Sequence, residues 1–219
     1  MKKSLLALAV LGAFAGAASA QSSVTLYGRV DLSVGKPMGT DAKGIFNGSG
    51  SRLGLRGSED LGGGLSALFN IEHRFNADEG TQAATDFWRQ SWVGLQGGFG
   101  RITVGRQYNV LFDLVTSTYA SYPYSPYMDV YKPEIGFSLG ARADNMVKYM
   151  AEIGPVRGAL QYSFDEKSPT GGKTVGGYLR YATGGVAAGL GYESYKFASG
   201  KEVEAWTLGG SYRMDKWYF

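Results

Sequence analysis

The sequence predicts an all-β protein, a transmembrane antiparallel β-barrel, on three observations. The first is strict alternation. From Ser23 to Leu32 the residues Val24, Leu26, Gly28, Val30 and Leu32 fall on one face, and Thr25, Tyr27, Arg29 and Asp31 on the other. The second is repetition, because about nine further segments of this kind follow, and in many of them the polar face carries arginine. The third is composition: 34 Gly, 15 Tyr and only 6 Pro in 219 residues suit twisted strands, tight turns and aromatic interface girdles. A sheet that is apolar on one face and charged on the other, repeated this often, describes a wall in lipid around a wet interior.

The elements follow in chain order. Met1-Lys2-Lys3 is a positive start, Leu5 to Ala17 an apolar run, and Ala18-Ser19-Ala20 a small-residue cleavage site, so residues 1–20 read as a secretory signal peptide and 21–219 as the barrel domain. No later stretch approaches the ~20 apolar residues of a helical span, so a membrane would be crossed by strands. Strands are expected at about 23–34, 49–59, 64–75, 85–96, 100–107, 142–153, 156–166, 173–183, 185–197 and 202–213. The connections around 60–63, 97–99, 154–155, 183–184 and 214–216 are tight; those at 35–48, 76–84, 108–141, 167–172 and 198–201 are mostly longer. Short turns at one end and longer loops at the other are the pattern of an outer-membrane barrel.

Side chains alternate along a strand, so parity assigns faces. Leu53, Leu55, Leu65, Ala67, Phe69, Ile71, Phe75, Val147, Tyr149, Ala151, Ile153, Val175, Leu179 and Tyr181 point outward. Arg52, Arg56, Ser66, Asn70, Glu72, Arg74, Arg142, Asp144, Lys148, Thr174 and Arg180 point inward. The segment 85–96 breaks the pattern, since Trp88 and Trp92 share a parity with Gln90; a bulge or a subunit contact would account for it. Loop 108–141 is too long for a compact strand array unless it is functional. Its tyrosines, prolines and acids would let it pack by its own bulk, fold into the barrel and set acids across from wall arginines.

Composition excludes several function classes. Without the leader, which holds Lys2 and Lys3, the 22 Lys+Arg fall to 20 against 19 Asp+Glu, so the basic balance implies no nucleic-acid partner. The absence of cysteine removes disulfides and thiolate metal sites, and scattered carboxylates define no metal site. The single histidine, His73, shares parity with Phe69, Ile71 and Phe75, which takes it away from any lumenal serine and argues against catalysis. Gly62-Gly63-Gly64 lies between strands with no helix after it, so it is not a phosphate loop. No cofactor is implied.

Four ordered blocks carry a family resemblance: Gln21 to Gly28, Ser51 to Leu65, Arg89 to Gln107, and Arg142 to Tyr149. They resemble the trimeric general porins of Gram-negative outer membranes, in the betaproteobacterial branch. The resemblance implies a 16-stranded barrel, a homotrimer in outer-membrane lipid, a constriction made by the third long loop (here about 108–141), and passive diffusion of small hydrophilic solutes and anions. In anion-preferring members wall arginines at the constriction attract anions, and Arg52, Arg89 and Arg142 stand in the blocks that carry them. Asp113, Asp129 and Glu134 are candidates for the opposing acids in the loop. Arg74, Glu72, Lys148 and Arg180 are expected as further pore-lining residues. Guanidinium suits such a filter because it stays charged and is weakly hydrated, and low-dielectric walls focus its field along a bore.

Two alternatives fit the same strands: an outer-membrane adhesin or receptor barrel with a plugged lumen, and a soluble periplasmic β-sandwich. The alternating pattern also supplies only ten strands and the start of another at Trp217-Tyr218-Phe219. The resemblance implies sixteen, and a set that falls short of closure leaves an unpaired edge in hydrocarbon, so the 219 residues are expected to be a partial chain.

Overall fold

The computed structural model describes residues 22–36, 39, 41–48, 50–118, 140–165 and 172–214, and the backbone of 217–218. The leader, loop residues 119–139 and the terminal Phe219 lie outside the described residues. The strands are β1 (Ser23–Arg29), β2 (Leu32–Gly35), β3 (Gly44–Asn47), β4 (Ser51–Gly62), β5 (Leu65–Asn76), β6 (Thr81–Gln82), β7 (Trp88–Gly97) and β8 (Gly100–Tyr108). After one helix, α1 (Val110–Thr118), come β9 (Arg142–Ile153), β10 (Val156–Ser163), β11 (Gly172–Thr183), β12 (Val186–Phe197), β13 (Glu202–Met214) and β14 (Trp217–Tyr218). Twelve strands form one antiparallel sheet in the order β1-β4-β5-β7-β8-β9-β10-β11-β12-β13-β14, with β6 added beside β5. Among the described residues no pairing joins the two ends of this sheet.

The two faces differ as the alternation predicts. On the outer face Val24, Leu26, Leu53, Val93, Leu160, Leu179, Leu190, Trp206 and Leu208 are exposed, the last by 71%. An exposed apolar surface of this extent is a lipid- or partner-facing surface. His73 lies on the same face, stacked on Phe87 at 4.3 Å and edge-on to Trp88. The inner face buries polar groups instead: Asn70, Glu72, Thr103, Gln107, Lys148, Gln161, Thr174 and Glu193.

The structure departs from strict alternation in three places. The expected strand 23–34 is two strands, and β2 leaves the main sheet to form a hairpin with β3 inside the first long loop. Loop 108–141 begins with α1, which a strand-period reading overlooks. Its signals are local: Asn109 precedes the apolar run Val110-Leu111-Phe112, and its side-chain oxygen accepts the Phe112 N–H at 2.8 Å, a helix N-cap. The third departure is a set of bulges. Glu72 pairs with Gln90 but His73 with Trp88, so Arg89 is the extra residue that puts Trp88 outside and Trp92 inside.

Candidate functional site

Helix α1 lies against the inner face of β10 to β13. Val110, Leu111, Leu114 and Val115 are fully buried there. The seat exists because the wall beneath carries glycine. A Cβ at Gly176 would stand 2.9 Å from Val110 Cγ2, one at Gly189 2.5 Å from Leu114 Cδ1, and one at Gly191 2.8 Å from Leu111 and Leu114. Polar ties fix both ends of the helix. Gln161 Oε1 accepts the Val110 N–H at 2.7 Å, Arg180 Nε donates to the Ser117 carbonyl at 3.1 Å, and Ser211 Oγ donates to the Thr118 carbonyl at 2.5 Å. Asp113, midway along, pairs with Lys148 at 2.5 Å, and Lys148 also donates to the Tyr108 carbonyl.

Beside the helix, Tyr108 is the hub of an arginine cluster. Its ring stacks on Phe112 at 3.8 Å and lies under the guanidiniums of Arg89 (5.0 Å) and Arg142 (5.5 Å). Arg89 donates to the Tyr108 hydroxyl and to Glu72, which also accepts from Tyr27 at 3.1 Å. Arg74 and Arg106 share Asp86, at 2.6 and 3.0 Å, and Arg106 also pairs with Asp144. Arg142 lies within electrostatic reach of Arg74, Arg89 and Arg106, and among the described residues no carboxylate pairs with it. Among the described residues four guanidiniums thus meet three carboxylates, and Arg142 carries the excess. On the neighbouring strands Arg52 is in register with Arg29 on one side and Arg74 on the other, extending the basic row across β1, β4 and β5.

The loop aspartate Asp86 lies outside the strands. Burial alone would raise its pKa, but the hydrogen bond and charge of Arg74, with the charge of Arg106, outweigh that and hold it below the ordinary aspartate value.

Several expectations meet in one place: Arg74, Glu72, Arg89 and Arg142 converge around Tyr108 and Asp86, with Arg52 one strand beyond. Asp113 pairs with Lys148 on the wall beneath it. Arg180 is spent on the end of the helix. Asp129 and Glu134 lie outside the described residues. Tyr108, Asp86 and Arg106 were not foreseen. Alternation puts Arg106 on the outer face with Ile102 and Val104, but the β8–β9 register shifts between Gly105 and Gln107, where Gly105 has φ +123° and Asn145 opposite has φ 50°. That bulge turns Arg106 to the acids. A glycine before an arginine within an alternating run was the available signal.

Residues 7–219 match the family model described as Gram-negative porin. The chain belongs to this porin family. It is 40% identical over 235 residues to outer membrane porin protein 32 of Delftia acidovorans, covering 98% of this chain and 66% of that one. It is 35% identical to an outer membrane porin of Bordetella pertussis, covering 98% of this chain and 67% of that one. Among solved structures it is similar to the anion-selective porin from Comamonas acidovorans, with a TM-score of 0.69 and 32% identity over 88% of this chain and 64% of that one. The chain therefore spans about two-thirds of the length of the porins it resembles. The antiparallel sheet is that of a porin wall, of betaproteobacterial type, and the outer membrane is its location.

Proposed function

We propose that this chain contributes the wall of a water-filled outer-membrane channel, a passive porin and not an enzyme, which favours small hydrophilic anions. On this reading residues 1–20 are a secretory leader and 21–219 the barrel domain. Loop 108–141 narrows the bore, with α1 as its anchored first part and Asp129 and Glu134 in the segment beyond. Arg52, Arg89 and Arg142 line the passage, with Arg74, Glu72 and Lys148 beside them and Arg180 farther along the wall at the end of α1. The observation that carries the anion preference is Arg142, a guanidinium among three others with no carboxylate pairing with it among the described residues. A charge held in this way on a low-dielectric wall raises local anion concentration.

The full assembly is proposed to be a homotrimer in outer-membrane lipid. An apolar groove of about 600 Å³ runs over the outer face of β1, β4, β5, β7 and β8, lined by Val24, Phe69, Leu95 and Ile102 among others, and it offers a seat for a neighbouring subunit.

The test is the reversal potential of reconstituted protein in a potassium chloride gradient. Wild type is expected to give the sign of an anion-preferring pore and Arg142→Ala a shift toward cations. Stable conductance with no shift in the variant would remove Arg142 from the filter. Absence of conductance would remove the channel reading.

A further inference from the structure

Between α1 and the inner face of β7 to β10 lies a cavity of about 290 Å³, just below the roughly 300–1,000 Å³ typical of small-molecule sites. Its lining brings together Trp92, Gln90 and Gln107, the Met150 thioether, and the cations Arg101, Lys148 and Arg157. Two of these cations are compensated. Lys148 is held by Asp113, and Arg157 by Glu152 at 2.6 Å. Arg101 is different. It donates to Met150 Sδ at 3.4 Å, a weak acceptor, and among the described residues no carboxylate pairs with it.

We infer that this cavity is a binding site for a small organic monocarboxylate, with the carboxylate on Arg101 and the apolar body against Trp92 and Met150. One uncompensated guanidinium calls for one carboxylate, and its planar fork matches that geometry. A second negative charge would meet Asp113 on the same lining. The indole and the thioether give an inorganic anion little to touch, whereas a planar carbon skeleton gains contact from both. Gly105, opposite Trp92 in register, places no side chain beside the indole, and Gln90 and Gln107 can serve a polar substituent. The site is separate from the arginine cluster but shares Tyr108 with it, so a solute held here sits next to the cations of the proposed filter. The inference rests on the reading that this face is wet.

The test is equilibrium binding of benzoate, acetate and sulfate to the full chain folded in detergent micelles, which needs no conductance and so fails independently of the channel proposal. Saturable benzoate binding, tighter than acetate or sulfate, is expected. Arg101→Gln should weaken it by about tenfold or more, the scale of a lost charge-assisted pair, while Trp92→Leu should erase the advantage of benzoate over acetate. Arg56→Gln, on the inner face outside the cavity, should bind as wild type does. Circular dichroism confirms that each variant is folded. If Arg101→Gln does not fold, Arg101→Lys, which keeps the charge but loses the fork, should still weaken benzoate. No saturable binding, equal binding of sulfate, or benzoate binding indifferent to both Arg101 variants would overturn the assignment.

Discussion

The seat of α1 can be tested at Gly189. A Cβ there would lie 2.5 Å from Leu114 Cδ1, where carbon atoms pack at about 3.5–4.0 Å, so Gly189→Ala forces the helix or the Leu114 side chain back by roughly 1 Å. Leu114 is fully buried, and overpacking of this kind costs about 1–3 kcal/mol. Leu114→Ala alone leaves a cavity and costs about 2–5 kcal/mol. The two changes are complementary, because the second removes the atom that the first strikes. In the Leu114→Ala background, Gly189→Ala is therefore expected to be neutral or stabilising by up to about 1 kcal/mol, and the cycle to show a coupling of at least about 1 kcal/mol. The conformational advantage of alanine over glycine in a strand, about 0.5–1 kcal/mol, acts in both backgrounds and cancels in the cycle. Urea unfolding in detergent, followed by tryptophan fluorescence, gives the four free energies. Equal costs of Gly189→Ala in the two backgrounds would refute the glycine seat. Conductance adds a second reading: the single variant, with α1 pushed off the wall, should conduct less than wild type, and the double variant should recover.

Two further predictions address the outer face and the loop. Leu208→Arg, at a fully outward position of β13, should destabilise protein in lipid bilayers by about 2–4 kcal/mol if that depth is near the midplane; on a solvated sheet face the same change would cost almost nothing, so a near-zero value in bilayer unfolding would exclude lipid contact there. Asp86 has a depressed folded pKa, so its contribution to stability is fully present above the unfolded aspartate value of about 3.9 and is lost as pH falls through the folded value. Asp86→Asn should remove that part of the acid dependence; an unchanged stability profile below pH ~4 would show that Arg74 and Arg106 do not depend on it.

The sheet was legible in the sequence because its signal is period two. Lipid on one side and polar groups on the other enforce alternation at every residue, as with Leu53/Leu55 against Arg52/Arg56, and a one-residue slip would exchange the faces. The helix was not legible by the same rule. Nine residues starting at Val110 are too few to show a sustained 3.6-residue period, and α1 is stabilised by a glycine seat contributed from strands about 65–80 residues later. Only its Asn109 cap is local. Arginines in register, such as Arg29, Arg52 and Arg74, follow from parity; Arg89 and Arg106 do not, because each stands where the register shifts.

Those two irregularities explain how a wall can concentrate cations at one level. In an unbroken antiparallel ladder, inward positions recur at every second residue, and the level of each side chain follows from the pairing. An extra residue at Arg89 and a shift at Arg106 bring two more guanidiniums to the level of Tyr108 than parity alone supplies. Packing four like charges together would be unfavourable without acids, and Glu72, Asp86 and Asp144 offset three of them. The fold can hold this cluster because the acids neutralise most of it, and on the channel reading proposed above the field on a passing anion would come from what they leave over. Arg142 has the Tyr108 ring as its neighbour and, among the described residues, no carboxylate as its partner, so in the proposed channel both stability and selectivity would turn on the same count of charges. Strengthening the cluster with a fourth acid would therefore weaken its attraction for anions.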